Sequence, residues 1–217
     1  MTTPITSAQL FFLFDNHCPW TYAATPLINE LTQAFPEIEL HLWHAAFFDG
    51  NSDSNINRKK EELAQVEKLA NISFSSAYQE ILKHNTNSIL SANLMTWAQN
   101  KAPNLALPLL NALQKEHFEH GNQLAKISDF DDVIATLKIS PPAKVFKEKL
   151  SKDTLVQLEE IFSLQEIMAT EAIPALLLAI DEELILLNHN FYLTQPKAII
   201  EAVQLEFDKH QLNSKKK

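Results

Sequence analysis

The sequence of 217 residues contains very little glycine and cysteine, and each shortage excludes a class of protein. Its only glycines are Gly50 and Gly121, whereas dinucleotide and nucleotide cradles need several glycines within one loop. Rossmann and P-loop nucleotide sites are therefore excluded. Cys18 is the only cysteine, so no intrachain disulfide can form and the chain is not a disulfide-stapled secretory scaffold.

Positive charge and long apolar runs are also scarce. Lys and Arg number 18 against 27 Asp and Glu, which gives a formal net charge of −9 at pH 7. Such a surface repels phosphate backbones and anionic lipids, so neither nucleic acid nor a membrane is an expected partner. The apolar run from Leu10 to Phe14 is too short for a signal peptide or a membrane span. We expect a soluble, cytoplasmic protein whose terminal residues, Lys215 to Lys217, form a solvated end.

The apolar residues that are present, 46% of the chain, are enough for one sizeable core. The run from Leu10 to Phe14 is typical of a strand buried on both faces. Apolar residues from Trp20 to Phe35 recur at helical spacing, and residues 38–42 alternate like a half-buried strand. The opening therefore predicts β-α-β, with parallel strands because a helix connects them.

The rest of the chain divides into a helical block and a second group of strands. Residues 57–168 show no alternating strand pattern and carry helix start signals, such as Ser140 before Pro141. Residues 175–180 and 184–187 are apolar runs that predict a hairpin. A last helix begins near residues 194–196, so the complete order is β-α-β, helical block, β-β-α.

The segment from Asp15 to Thr21 lies at the predicted junction between the first strand and the first helix. Pro19 fits the first helical position, where its missing N–H costs nothing, and this makes Cys18 the N-cap residue. Its sulfur would face free backbone N–H groups and the positive end of the helix dipole, which lower a thiol pKa. We predict that Cys18 is an accessible nucleophile of low pKa; the alternative is a small buried apolar residue.

This segment resembles the active site of the thioredoxin superfamily, in its DsbA-like branch, whose Cys-Pro-x-Cys motif stands here as Cys18-Pro19-Trp20-Thr21. Pro26 lies where relatives of thioredoxin often carry a kinking proline. Residues 171–176 look like the loop that places a cis-proline beside the nucleophile. Residues 112–121 look like the helical insertion of bacterial DsbA-family proteins labelled as predicted protein disulfide isomerases.

The resemblance implies an α/β protein with a thioredoxin fold (βαβ…ββα) and a large all-helical insertion. Residues 8–50 and 170–210 would form the thioredoxin-like domain, and residues 55–168 the insertion. The activity implied is that of a thiol–disulfide oxidoreductase acting on a protein or small-molecule thiol or disulfide. No tightly bound cofactor is implied, although glutathione would serve as a co-substrate.

The resemblance also implies roles for residues at the site. Cys18 would attack a sulfur, and Pro174 would be cis and lie against Cys18. The backbone of Ile173 would pair with an extended peptide or with glutathione. The remaining substrate-binding residues would be His17, Pro19 and Trp20.

The sequence departs from the family at Thr21, which stands where the resolving cysteine is expected. A mixed disulfide at Cys18 therefore cannot be resolved within the chain. The Thr21 hydroxyl could instead donate to the Cys18 thiolate, which would make Thr21 a second catalytic residue in monothiol chemistry with an external thiol. An ordinary polar residue in a first helical turn is an equally consistent interpretation of Thr21.

Two alternative functions remain open. Kappa-class glutathione transferases and hydroxychromene-carboxylate isomerases are similar in fold and in having an incomplete motif, but they usually carry serine in place of Cys18. In that case the glutathione sulfur would do the chemistry. The loss of the resolving cysteine also fits a thioredoxin-fold protein that binds peptides without catalysis. The sequence does not predict the oligomeric state.

The other polar residues give weaker indications. His17 would act as a cation beside the thiolate or point to solvent. His117 and His120 lie one helical turn apart without a third ligand, so we expect them at the surface and predict no metal site. His41 and His44 lie three apart on a strand and leave opposite faces. The carboxylates are expected on a solvated surface, among them Asp53, Glu61 and Glu62.

Overall fold

The computed structural model describes residues 8–50 and 55–214; Asp53 and Lys215 to Lys217 lie outside them. Its sheet has four strands in the order β2-β1-β3-β4. The strands are β1 Ala8–Phe14, β2 Glu39–His44, β3 Ala175–Ile180 and β4 Glu183–Leu187. β1 is parallel to β2 and antiparallel to β3, and β3 is antiparallel to β4. The predicted parallel pair, hairpin and central first strand are confirmed.

Helices follow and separate these strands. α1, Pro19–Ala34, connects β1 to β2. Between β2 and β3 lie α2 Ile56–Ala70, α3 Ser76–Ile81, α4 Ile89–Lys101, α5 Pro103–Gln114, α6 Asp131–Leu137 and α7 Lys152–Ile167. α8, Ile199–Ser214, follows β4. Shorter helical segments are a π segment at Lys115–Glu119 and 3-10 turns at Ile127–Phe130, Ala143–Phe146, His189–Tyr192 and Pro196–Ala198.

The central strand β1 is buried because helices cover both faces of the sheet. Phe12 and Phe14 point into the larger core, which also contains the buried face of α1. Phe11 and Leu13 point the other way, into a smaller core where Ile161 of α7 packs. Alternating side chains therefore enter two apolar environments, which explains the continuous apolar run in the sequence.

One predicted helix start is wrong. Ser140 and Pro141 belong to a loop, and the next helical turn begins at Ala143. The reason is Pro142: a proline disfavours helical dihedrals in the residue before it, so Pro141 cannot begin a helix.

Gly121 follows the end of α5 and the π segment, and its φ is +71°. A Cβ at this position would lie 2.5 Å from the backbone oxygen of Ala77 at the start of α3. Gly50 has a similar φ of +83°, but its Cβ would meet the side chain of Asn87 at 3.1 Å. A side chain at position 121 would therefore clash with backbone as well as strain the dihedral angle, whereas at position 50 it would meet only a side chain.

We predict that Gly121→Ala lowers the free energy of unfolding by about 1–3 kcal/mol, because a left-handed non-glycine residue is strained. Gly50→Ala is the matched control and should lose less, since the Asn87 side chain can move away. Urea denaturation of the three proteins measures the difference. Equal losses in the two variants would contradict the importance of the Ala77 contact.

Candidate functional site

Cys18 caps α1 at the corner where β1 ends. Its φ of −81° and ψ of 123° are extended, and Pro19 takes up the first position of the helix. The Cys18 amide donates to the backbone oxygen of Asp15 at 3.0 Å, which closes a tight turn after the strand. The predicted N-cap position is confirmed.

The predicted accessible, low-pKa thiol is wrong. Cys18 is only 7% exposed, and this burial, with the negative charges of Asp15 and Glu62, raises its pKa to about 11. The Thr21 backbone N–H and hydroxyl favour the thiolate, but they do not outweigh desolvation. The sequence analysis anticipated the helix cap but not the side chains that close over the sulfur.

Thr21 is fully buried in the first turn of α1. Its hydroxyl has no hydrogen-bond partner within the described structure, yet it acts on Cys18 in the direction of the thiolate. A buried hydroxyl without a partner is costly. The role of Thr21 as a second catalytic residue stays a prediction.

A groove on one side of the corner brings together three of the predicted substrate-binding residues. Trp20, Ile173 and Pro174 line a cavity of about 320 Å³. The Ile173–Pro174 peptide bond is cis, the isomer that the sequence analysis expects. Because Ala175 pairs with Leu13, Pro174 lies at the end of the sheet where β1 leads into Cys18.

A smaller cavity of about 60 Å³ lies on the other side of the corner, against the helical block. The two remaining predicted substrate-binding residues, His17 and Pro19, line it together with Glu62 of α2 and Tyr78 of α3. Glu62 is half-buried and accepts a hydrogen bond from Trp20, so its prediction as a solvated surface residue is wrong. Tyr78 was not singled out at all, because a tyrosine in a short amphipathic helix carries no sequence signal of function.

Asp15 is buried at the centre of a polar cluster beneath the corner. One carboxylate oxygen accepts the His17 amide at 2.9 Å and contacts its Nδ1 at 3.3 Å, and the other accepts the Phe47 amide at 2.8 Å. Burial alone would raise the pKa of Asp15, but His44, His17 and Ser88 hold it well below its usual range. Asp15 is therefore an ionised buried carboxylate that the sequence analysis missed.

The histidines differ from their predicted positions. His17 is 2% exposed and its Nδ1 contacts Asp15 at 3.3 Å, so its side chain does not point to solvent; its role as a cation beside the thiolate stays a prediction. His117 is also buried, and its Nδ1 lies 2.7 Å from the backbone oxygen of Asn122; its surface prediction is wrong. His120 does lie at the surface, next to Glu116.

His41 and His44 leave opposite faces of β2, as predicted. His41 stacks on Phe11 at 4.5 Å, and His44 meets the edge of Phe14 at 5.1 Å. These phenylalanines belong to the two different cores. His44 joins the Asp15 cluster, whereas His41 does not.

The donor atoms of Asp15, His17 and His44 lie within 4.8 Å of one another, as metal ligands do. However, Nδ1 of His44 accepts a hydrogen bond from the Ala46 amide at 3.0 Å. In a neutral ring this places the proton on Nε2, the nitrogen that would have to bind the metal. Nε2 instead donates to the side-chain oxygen of Asn16. The three residues are therefore arranged as a hydrogen-bonded network.

A family model describes the same region of the chain. The DSBA-like thioredoxin domain matches residues 9–133, which is more than half of the sequence. The chain belongs to the DSBA-like thioredoxin domain family. The predicted thioredoxin fold with its helical block is confirmed, and no curated protein matches this chain.

Solved structures share this fold at low sequence identity. The cytosolic disulfide reductase DsbM from Pseudomonas aeruginosa has a TM-score of 0.81 and 18% identity, over 92% of this chain and 98% of DsbM. The same protein with GSH has a TM-score of 0.79 and 16% identity, over 92% and 99%. A proposed protein disulfide isomerase from Nitrosomonas europaea has a TM-score of 0.70 and 14% identity, over 92% and 98%. Among the described residues, no helix is long and apolar enough to span a membrane.

The buried histidines predict a loss of stability in mild acid. Burial lowers the pKa of His44 to about 4 and that of His117 to about 3, while an unfolded histidine titrates near about 6.5. Between these values the unfolded chain binds protons that the folded chain does not, so stability falls as the pH falls below about 6.5. The expected slope is up to about 1.4 kcal/mol per pH unit for each histidine.

Urea denaturation from pH 7.5 to 4.5 measures this slope. His117→Asn keeps a donor near the Asn122 oxygen but removes the titrating ring, so it should make the slope shallower. His120→Asn changes an exposed histidine and should leave the slope as it is. An unchanged slope in His117→Asn would show that His117 does not resist protonation in the fold.

Thr21→Val tests the role of the Thr21 hydroxyl. Valine has a similar shape but cannot favour the thiolate, so the pKa of Cys18 should rise further. Stability should be kept or slightly increased, because a buried hydroxyl without a partner is removed. Alkylation rate against pH and urea denaturation measure the two effects. If alkylation of Thr21→Val had its midpoint at a lower pH than in the wild type, the Thr21 hydroxyl would not stabilise the Cys18 thiolate.

Proposed function

We propose that the protein is a cytoplasmic thiol–disulfide oxidoreductase that works through Cys18 alone, with glutathione or another small thiol completing turnover. The observation that supports this most directly is the position of its only cysteine, at the N-cap of α1, at the end of the sheet where the cis Ile173–Pro174 bond lies. The DsbA-like family to which the chain belongs is one of thiol–disulfide oxidoreductases. The similarity to DsbM, named as cytosolic and solved with GSH, supports the location and the co-substrate.

The reaction would begin with the Cys18 thiolate attacking one sulfur of a disulfide. The Cys18 sulfur forms the new S–S bond, and the second substrate sulfur leaves as a thiolate that takes up a proton. With threonine at position 21, the mixed disulfide waits for an external thiolate, which attacks it and returns Cys18 to the reduced form. The groove beside Pro174 would hold the substrate chain in extended form against the Ile173 backbone.

The protonation of Cys18 determines the speed of this reaction. With a pKa of about 11, only about one molecule in ten thousand carries the thiolate at pH 7. A thiol of high pKa is also a poor leaving group, so a mixed disulfide at Cys18 is expected to be long-lived. Contacts with the bound substrate must therefore favour the thiolate if turnover is to be fast.

The same burial and raised pKa of Cys18 favour a second candidate function. In this alternative the groove binds an extended peptide and Cys18 never reacts. The two candidates differ in one observable, the formation of a covalent adduct at Cys18 in the folded protein.

Intact-mass measurement after exposure to glutathione disulfide tests the proposed function. We expect one adduct per chain, formed faster as the pH rises from 7 to 9, absent in Cys18→Ser and removed by dithiothreitol. The rate of adduct formation in the urea-unfolded chain, measured in the same way, shows whether folding slows the reaction of the Cys18 sulfur. A folded protein that forms no adduct with any small disulfide, even at pH 9, would favour the non-catalytic alternative.

A further inference from the structure

The charged groups that act on the Cys18 sulfur are both negative. They are Asp15, which is fully buried, and Glu62, which is half-buried. Lys59 lies in the wall of the smaller cavity, but its ammonium donates to the backbone oxygens of Leu82 and His84, each at 2.9 Å. Among the described residues, the charges that act on the sulfur are therefore two carboxylates and no cation.

The smaller cavity also offers hydrogen-bond acceptors. His17 Nδ1 lies 3.3 Å from the Asp15 carboxylate and 3.4 Å from the Ser88 hydroxyl. A carboxylate accepts, so Nδ1 donates to Asp15, which leaves the other ring nitrogen, Nε2, for a partner outside the chain. This Nε2 is buried and has no partner within the described residues.

His117 repeats this arrangement across the cavity. Its Nδ1 donates to the Asn122 backbone oxygen at 2.7 Å, which leaves Nε2 as an acceptor in the neutral ring. The His17 and His117 rings lie 4.8 Å apart, and both line the cavity with Glu62. The His117 ring, the unpartnered His17 Nε2 and the Glu62 carboxylate thus belong to the lining of one small space.

The remaining lining and the size of the cavity fit an ammonium group on a short carbon chain. Phe48 and Tyr78 contribute aromatic rings, which attract cations. The volume of about 60 Å³ is several times that needed for one water. Glu62 and Tyr78 of this lining both interact electrostatically with Cys18, so the charge of a group in the cavity would act on the sulfur.

We propose that the disulfide substrate of Cys18 carries a primary ammonium close to its sulfur, and that this ammonium binds in the cavity between His17 and Glu62. The inference rests on the proposed function and names its substrate class: small cationic aminothiols and their disulfides. The substrate supplies the positive charge that the described residues do not provide at the sulfur, and this charge stabilises the Cys18 thiolate at the moment of attack. Disulfides that carry a carboxylate close to the sulfur are disfavoured by the same carboxylates.

The covalent step needs no outside oxidant. Cys18 gives its proton to solvent, its sulfur bonds to one sulfur of the cationic disulfide, and the other sulfur leaves as a thiolate that takes up a proton. The product is a mixed disulfide between Cys18 and the aminothiol. One S–S bond forms and one breaks, so the number of electrons is unchanged.

The test compares three small disulfides at pH 8 and low salt: cystamine, which is cationic, bis(2-hydroxyethyl) disulfide, which is neutral, and dithiodiglycolate, which is anionic. The rate of adduct formation at Cys18 is measured by intact mass, and each rate is divided by that of the same reagent with N-acetylcysteine amide. We expect cystamine to exceed the neutral reagent by about fivefold or more, and the anionic reagent to be slowest.

Glu62→Gln and Glu61→Gln make the same change in net charge at neighbouring positions of α2, but Glu61 is exposed and does not line the cavity. We expect the preference for cystamine to fall at least about threefold in Glu62→Gln, to persist in Glu61→Gln, and to be retained in Glu62→Asp. Circular dichroism and thermal melting check that each variant folds. An equal preference in both glutamine variants, or none in the wild type, would overturn the inference. Failure of all three reagents to react at Cys18 would instead contradict the proposed function.

Discussion

The buried Asp15 carboxylate is the interaction on which the geometry of the site depends. It accepts the backbone amides of His17, at the β1–α1 corner, and of Phe47, after β2. The corner that places Cys18 and the chain beyond the neighbouring strand are therefore fixed by one side chain. An isolated charge in such a position would be prohibitively costly, and the surrounding histidines and amides make it tolerable. Removing this carboxylate would leave both amides without their partner.

The same carboxylate limits the chemistry of the cysteine that it helps to position. A helix N-terminus contributes roughly 0.3–1 kcal/mol to a nearby anion at an exposed site. The rise in the pKa of Cys18 to about 11 corresponds to ~3 kcal/mol in the opposite direction. Burial together with Asp15 and Glu62 therefore outweighs the cap. Position at a helix start predicts where a thiol lies, whereas its reactivity depends on the charge and solvent around it.

The sequence predicts the fold well because the informative residues are local. The apolar run of β1, the helical spacing of α1 and the position of Pro19 each depend on a few neighbours in the chain, and these elements are confirmed. His117 and Glu62 were misjudged because their burial depends on how α2, α3 and the segment after α5 pack over the corner. A histidine pair one turn apart has the same pattern on a surface as in a cleft. The helix start predicted at Ser140 and Pro141 failed for a related reason. The next residue, Pro142, disfavours helical dihedrals at Pro141, and a pattern of two residues does not take it into account.

The helical block thus has a chemical role as well as a structural one. The strand–helix corner supplies the sulfur of Cys18 and the hydroxyl of Thr21, which favours the thiolate. The helical segments contribute Glu62, Tyr78 and His117, which surround the approach to that sulfur from the other side. The corner has no second thiol, since Cys18 is the only cysteine of the sequence, and the charges that act on the Cys18 sulfur among the described residues are carboxylates. In the proposed reaction a resolving sulfur and a cation would therefore both come from a substrate, and a molecule that combines an amine with a thiol would supply them together.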